Sequence, residues 1–107
     1  MMAFTIKQND TSPALQATLQ DYAGSPINLV GASVRFHMKS LDGSVVVDAP
    51  MTVTSPSTGV VVYSWQAADT DVAGTYYAEF EVTYSDLSIE TFPNTDSIAI
   101  VITPELN

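Results

Sequence analysis

Apolar and polar residues alternate with a period of two along most of the chain. This alternation is typical of β-strands that bury one face, and no stretch of about 11 residues keeps the 3.6-residue period of a helix. Turn-forming glycine, proline, aspartate and serine residues separate the alternating segments. We therefore predict an all-β fold with strands at 3–8, 15–20, 32–39, 44–48, 52–54, 60–65, 75–84, 88–92 and 97–103.

One pair of strands has a predictable register, because Asp42-Gly43 is typical of a two-residue hairpin turn of type I′. Counting back from this turn gives the opposed pairs Leu41–Ser44, Ser40–Val45, Met38–Val47 and Phe36–Ala49. The register puts the apolar residues of both strands on one face. We therefore expect Phe36, Met38 and Val47 in the core and Lys39 in solvent, with His37 opposite Asp48 on the outer face.

The longest alternation, at 75–84, predicts a central strand with two chemically different faces. The residues expected to face the core are Tyr76, Ala78, Phe80, Val82 and Tyr84. The residues expected to face outward are Tyr77, Glu79, Glu81 and Thr83. Tyr76 follows a turn at the start of this strand, as in the tyrosine corner of immunoglobulin-like domains. The sequence thus predicts an immunoglobulin-like antiparallel β-sandwich of about 7 to 9 short strands, with Trp65 in or beside the core and its indole N–H on a partner or water.

Length and charge narrow the possible functions. A chain of 107 residues has room for one core, so we predict a single β-sandwich domain over residues 1–107. Three basic and twelve acidic residues give a net charge of -9, which repels a phosphate backbone and argues against nucleic acid as a partner. No apolar run approaches the roughly 18 residues of a membrane span, so we expect no membrane partner either.

Candidate catalytic and metal-binding residues are few. The chain has no cysteine, and its one histidine, His37, lacks the Gly-x-Ser-x-Gly motif of a serine nucleophile. Glu79, Glu81 and Glu90 could form the carboxylate pair of a glycosidase, but the sequence gives no sign of the cleft or the raised pKa that such a pair needs, so an acidic solvated face is favoured. Asp69 and Asp71 begin like a calcium loop, but the required ligands are missing later in the loop, so turn capping is favoured over calcium. We predict a protein that is not an enzyme, with no catalytic residue, cofactor or metal.

Several segments, in this order and spacing, resemble a known family. They are 6–11 (IKQNDT), 24–36 (GSPINLVGASVRF), Asp42-Gly43, 59–65 (GVVVYSW), 69–71 (DTD), 74–80 (GTYYAEF) and 90–94 (ETFPN). Together they resemble the N-terminal domain of the baseplate upper proteins of tailed phages, an immunoglobulin-like virion module. One departure is Asp86-Leu87, where the family tends to have Asp-Gly. Since leucine resists a positive φ, we expect a different loop at this hairpin.

The resemblance implies a non-enzymatic virion structural protein that is assembled in the host cytoplasm. In the family, this module docks on other baseplate or tail proteins, while later parts of the chain trimerise and carry receptor-binding proteins. We expect only the docking module in these 107 residues, held in multiple copies per particle by other virion proteins. A tail or a capsid location remains open.

The alternative is a β-sandwich module that binds carbohydrate or another part of the host surface. Such a module needs several exposed aromatic residues on one concave face, and the sequence offers at most two on the predicted outer face. Virion assembly is therefore the favoured hypothesis. The residues proposed for partner contact are Tyr77, Glu79, Glu81 and Phe92 on the outer face, or Phe4 and Ile6 on an N-terminal edge strand.

Overall fold

The computed structural model describes residues 3–94 and 97–106, and nine strands account for half of those residues. The strands are β1 (Ala3–Lys7), β2 (Leu15–Thr18), β3 (Ser33–Ser40), β4 (Val45–Pro50), β5 (Thr52–Ser55), β6 (Val60–Tyr63), β7 (Gly74–Thr83), β8 (Ile89–Phe92) and β9 (Ile98–Thr103). Short 3-10 turns span Pro56–Thr58 and Ala67–Thr70. Each predicted strand is present, and the all-β prediction is confirmed. Within the described ranges, no helix has the length and apolar character to cross a membrane.

The strands form two sheets that pack face to face. The larger sheet has the order β1-β9-β7-β3-β4, with β8 also paired to β7, and the smaller sheet has the order β2-β6-β5. β3 pairs along one edge of β7, whereas β8 and β9 share its other edge end to end. The sandwich is antiparallel as predicted, except that β1 runs parallel to β9.

An aromatic cluster joins the two sheets at the centre of the core. The Phe36 ring lies 4.7 Å from that of Tyr63, 5.7 Å from Trp65 and 5.9 Å from Phe80, measured between ring centroids. Phe36 and Met38 have no exposed surface and Val47 is buried, while Lys39 is exposed, which confirms the predicted core of this hairpin. Trp65 is buried as expected, but its indole N–H has no hydrogen-bond partner among the described residues.

The turn between β3 and β4 differs from the prediction. Gly43 N–H donates to the Ser40 carbonyl, and Ser40 N–H donates to the Ser44 carbonyl, each over 3.0 Å. The loop therefore has three residues, with Gly43 in the left-handed region at φ 88°. Asp42 accounts for the difference because its carboxylate accepts hydrogen bonds from the Ser40 hydroxyl and the Ser44 N–H. These bonds, the first above all, lower the pKa of Asp42 to about 2.

A β-bulge restores the predicted pairing of β3 with β4 beyond the turn. Lys39 pairs with Val45 but Met38 pairs with Val47, so Val46 is the additional residue. The predicted pairs next to the turn, Leu41–Ser44 and Ser40–Val45, are wrong, and Val45 is largely exposed. The pairs Met38–Val47, Phe36–Ala49 and His37–Asp48 are confirmed. The bulge thus keeps the apolar face of β4 on the core despite the longer loop.

The hairpin between β7 and β8 has the same three-residue loop as the first hairpin, although leucine was expected to resist a positive φ here. Leu87 N–H donates to the Tyr84 carbonyl over 2.8 Å, and Tyr84 N–H donates to the Ser88 carbonyl over 2.9 Å. Leu87 occupies the glycine position at φ 71°. The Asp86 carboxylate accepts the Ser88 N–H, as Asp42 does in the first hairpin, and this local bond prevails over the preference of leucine.

Substitution of Leu87 by glycine is expected to raise the free energy of unfolding by about 0.5 kcal/mol, since it removes about 1–2 kcal/mol of left-handed strain and returns part of that as unfolded-state entropy. The Leu87 side chain is 79% exposed, so little packing is lost. Urea titration measures the change, and Gly43→Leu in the equivalent loop position should destabilise. A lower midpoint for Leu87→Gly would show that the side chain stabilises this loop.

Candidate docking surface

The outer face of the larger sheet brings together three of the predicted contact residues. On adjacent strands β3 and β7, directly opposed residues project on the same side of the sheet. The opposed pairs on the side away from the core are Arg35–Glu81, His37–Glu79 and Lys39–Tyr77. Tyr77 is 43% exposed and Glu79 is exposed, whereas Glu81 is half-buried. This set of six side chains, which we call the β3–β7 face, is a basic stripe beside an acidic one.

On the β3–β7 face, the basic residues of β3 form ion pairs, whereas the acidic residues of β7 do not. Asp48 of β4 accepts a hydrogen bond from Arg35 Nε over 2.9 Å, and His37 Nε2 lies 3.2 Å from the same carboxylate oxygen. The hydrogen bond from Arg35 is the main cause of the lowered pKa of Asp48. Within the described part of the chain, neither Glu79 nor Glu81 forms an ion pair. Their carboxylates remain available to a basic partner.

An open depression of about 590 Å³ lies at the edge of the β3–β7 face. It is lined by Lys39 and Glu79 of the sheet and by Pro93, Asn94 and Ser97, which lie beyond the end of β8. The sequence did not indicate the residues beyond β8 as site residues. The outward side of His37 and Lys39 followed from the hairpin register, but no local signal shows that β8 and β9 share one edge of β7.

Phe92, which was predicted on the outer face, is buried at 3% exposure. It pairs with Phe80 and therefore projects into the core. Ile89 takes the opposite side and is 63% exposed, while Glu90 is half-buried and accepts a 2.7 Å hydrogen bond from the Tyr84 hydroxyl. Burial, and to a smaller extent this hydrogen bond, raises the pKa of Tyr84 to about 12. The predicted exposure of Phe92 is wrong, which leaves Tyr77 as the aromatic residue lining the depression.

The alternative contact segment, β1, lies at an edge of the larger sheet. Its side chains do not provide an exposed apolar surface. Ile6 is buried in the core, and half-buried Phe4 stacks on Trp65 with ring centroids 5.8 Å apart. What β1 offers a partner is the backbone of its free edge, together with the outward residues of the strand.

The segment before β7 serves structure. Asp69 Oδ2 accepts hydrogen bonds from the Tyr63 hydroxyl over 2.5 Å and from Gln66 N–H over 2.8 Å, which confirms the predicted capping role of Asp69. The Tyr76 hydroxyl donates to the Val72 carbonyl over 2.6 Å, so the predicted tyrosine corner is present. Across the described residues, no cluster of three or more histidine, cysteine, aspartate or glutamate side chains could hold a metal ion.

Comparison with known proteins gives one family and one class of fold. The family model of the BppU N-terminal domain matches residues 3–104. No curated protein matches the chain. Among solved structures, the crystal structure of CopC from Methylosinus trichosporium OB3b superposes with a TM-score of 0.59. The superposition covers 100% of this chain and 89% of the CopC chain at 13% sequence identity. At this identity, the likeness shows the fold alone.

Proposed function

This chain belongs to the family of the BppU N-terminal domain, the N-terminal domain of phage baseplate upper proteins, and from that membership we propose that it docks on other virion proteins through the β3–β7 face. The family makes it a structural protein associated with the phage baseplate. We further propose that it docks without catalysis, in multiple copies per particle, and that the particles are assembled in the host cytoplasm. A site on the tail or baseplate fits the family better than one on the capsid.

The unpaired acidic stripe of β7 is the observation that carries this proposal. Glu79 and Glu81 lie beside Tyr77 on a rigid central strand, and Asp48 already neutralises Arg35 on the neighbouring strand. Tyrosine is enriched in protein interfaces, and complementary charge sets the rate and specificity of association. We therefore propose a partner surface that is basic where it meets Glu79 and Glu81 and apolar where it meets the Tyr77 ring.

Carbohydrate or host-surface binding has less support. The depression beside Tyr77 has polar groups suited to sugar hydroxyls. Sugar sites, however, are lined predominantly by apolar and aromatic side chains, and the burial of Phe92 removes the second aromatic residue that this alternative needed. Replacing Tyr77 by alanine would abolish sugar binding, whereas on the docking proposal it weakens incorporation into particles.

The double substitution Glu79→Lys and Glu81→Lys is expected to reduce incorporation into particles several-fold and to change its salt dependence, because it turns the proposed attraction to a basic surface into repulsion. Both side chains lie outside the core, so the melting temperature should stay near that of the wild type. Complementation of a phage lacking the gene, followed by quantification of the protein in purified particles, measures the effect.

The matched control is Asp10→Lys with Asp71→Lys, which changes the net charge equally at two exposed positions outside β7. It should incorporate normally. A variant lacking residues 1–6 tests the β1 edge instead, and its melting curve must show a folded domain because the deletion removes the packing of Phe4 and Ile6. Normal incorporation of the β7 double variant, together with loss on deletion of residues 1–6, would contradict docking through the β3–β7 face and favour the edge strand.

A further inference from the structure

A second surface lies on the opposite sheet, at the free edge of β2. Leu19, just after β2, donates its N–H to the carbonyl of Gly59, the residue before β6, over 2.8 Å. In an antiparallel ladder, alternate residues bond to the same neighbour. Leu15 and Ala17 therefore bond toward β6, while Gln16 and Thr18 direct their N–H and C=O groups away from it. No strand of the described residues pairs with this edge.

The other edges carry features that discourage strand addition. β4 has a bulge and ends at Pro50, and β5 has a bulge and is followed by Pro56. β1 ends with the charged residue Lys7. β2, with the sequence LQAT, has no bulge, proline or charge and pairs regularly with β6. Among β1, β2, β4 and β5, the strands at the ends of the two sheets, β2 has the least protection against an added strand.

Two apolar hollows, of about 100 and 180 Å³, lie along β2 where the sheets separate. Ala17, Phe80 and Ile98 line both hollows. The smaller hollow extends toward Phe4 and the larger toward Phe92. Alternate side chains of an extended strand lie about 6.6 Å apart, so a segment paired with β2 can place successive inward side chains in the two hollows.

Charge selects among possible occupants of this edge. A second copy of the chain would bring its own net charge of -9 against the first, which disfavours pairing of two β2 strands. Asp21 lines the larger hollow and has one carboxylate oxygen occupied by the N–H groups of Ala23 and Ser25. Its other oxygen has no hydrogen-bond partner among the described residues. A basic residue at that end of an incoming segment would meet it.

We infer that β2 accepts an extended segment of another protein by strand addition. The segment has aliphatic residues at alternate positions and a net positive charge. Its backbone pairs with Gln16 and Thr18, and its aliphatic side chains fill the two hollows. This site is independent of Glu79 and Glu81, so loss of one surface leaves the other intact.

The test uses the full chain, isotope-labelled for NMR, and synthetic peptides in which valine alternates with threonine between terminal lysines. We expect the amides of Gln16 and Thr18 to shift and to gain protection from exchange. The same peptide with N-methylated backbone at alternate positions should not bind. Glutamate in place of the terminal lysines should weaken binding about tenfold or more.

Thr18→Pro is the decisive variant, because it removes an outward N–H without removing a bond to β6. It should abolish peptide binding, whereas Thr18→Ala, which keeps the N–H and changes only the side chain beside the larger hollow, should retain most of it. Melting curves of both variants verify folding. If Thr18→Pro fails to fold, the N-methylated peptide tests the companion bonds, in which peptide N–H groups donate to the outward carbonyls of β2. Binding that tolerates N-methylation would overturn the proposal. So would unshifted Gln16 and Thr18 amides, or dimerisation of the chain through β2 without peptide.

Discussion

Phe36→Ala is expected to lower the free energy of unfolding by about 3–5 kcal/mol, the usual range for truncating a fully buried phenylalanine. The ring has no exposed surface and contacts Tyr63, Trp65 and Phe80, so its loss opens a cavity between the two sheets. Because domains of this size are stable by only about 5–15 kcal/mol, the variant should melt far below the wild type. Guanidinium titration followed by near-UV circular dichroism measures the change.

Lys39→Ala is the control for this prediction, since it changes an exposed residue of the same strand and should shift stability by no more than about 0.5 kcal/mol. Phe36→Leu keeps most of the buried volume and should lie between the two. Equal effects of Lys39→Ala and Phe36→Ala would contradict the assignment of opposite faces to alternate residues of β3.

Gly59→Ala should destabilise by about 2–5 kcal/mol, of which about 1–2 is left-handed strain and about 1–3 is steric conflict. At φ 71°, a Cβ on Gly59 would lie 2.7 Å from the Leu19 carbonyl oxygen and 2.9 Å from the Ile27 carbonyl oxygen. These groups belong to a hydrogen-bonded backbone, in which Ile27 N–H donates to the Leu19 carbonyl and Leu19 N–H to that of Gly59. The backbone therefore has little freedom to move aside.

The matched variant is Gly43→Ala, at φ 88° with nothing within 4 Å of the added Cβ. It carries the strain alone, about 1–2 kcal/mol. The difference between the two variants in chemical denaturation isolates the close approach of the backbone at Gly59. Similar values for both would mean that the segments around Gly59 separate more easily than their hydrogen bonds imply.

Strands with strict alternation were predictable because apolar residues occupy one face throughout and polar residues mostly occupy the other. In β7, every second residue from Tyr76 to Val82 is buried, and the tyrosine corner follows from one turn and one strand start. β8 was not predictable in this way. Ile89 and Phe92 are three residues apart and cannot share a face, so the pattern alone could not choose between them. Pairing of Phe92 with Phe80 decides which one is buried.

The candidate site was predictable only in the part that lies on regular strands. Tyr77, Glu79 and Glu81 follow from alternation, but Pro93 and Asn94 reach the same surface through the arrangement of β8 and β9 along β7. The prediction of the turn between β3 and β4 failed for a related reason. The Asp42 and Asp86 carboxylates accept hydrogen bonds from backbone N–H groups that determine the loops, and dipeptide preferences for Asp-Gly do not include these bonds.

The parallel pairing of β1 with β9 has a consequence for the order of folding. Ala3 lies opposite Ala99, so the first described strand finds its neighbour in the last one. At about 5–20 residues per second on a ribosome, roughly a hundred residues take on the order of 5 to 20 s. Throughout that interval the strand that pairs with β1 in the folded sheet is absent. Closure of the larger sheet is thus a late step set by synthesis, with the non-local contacts that make all-β domains slow to fold.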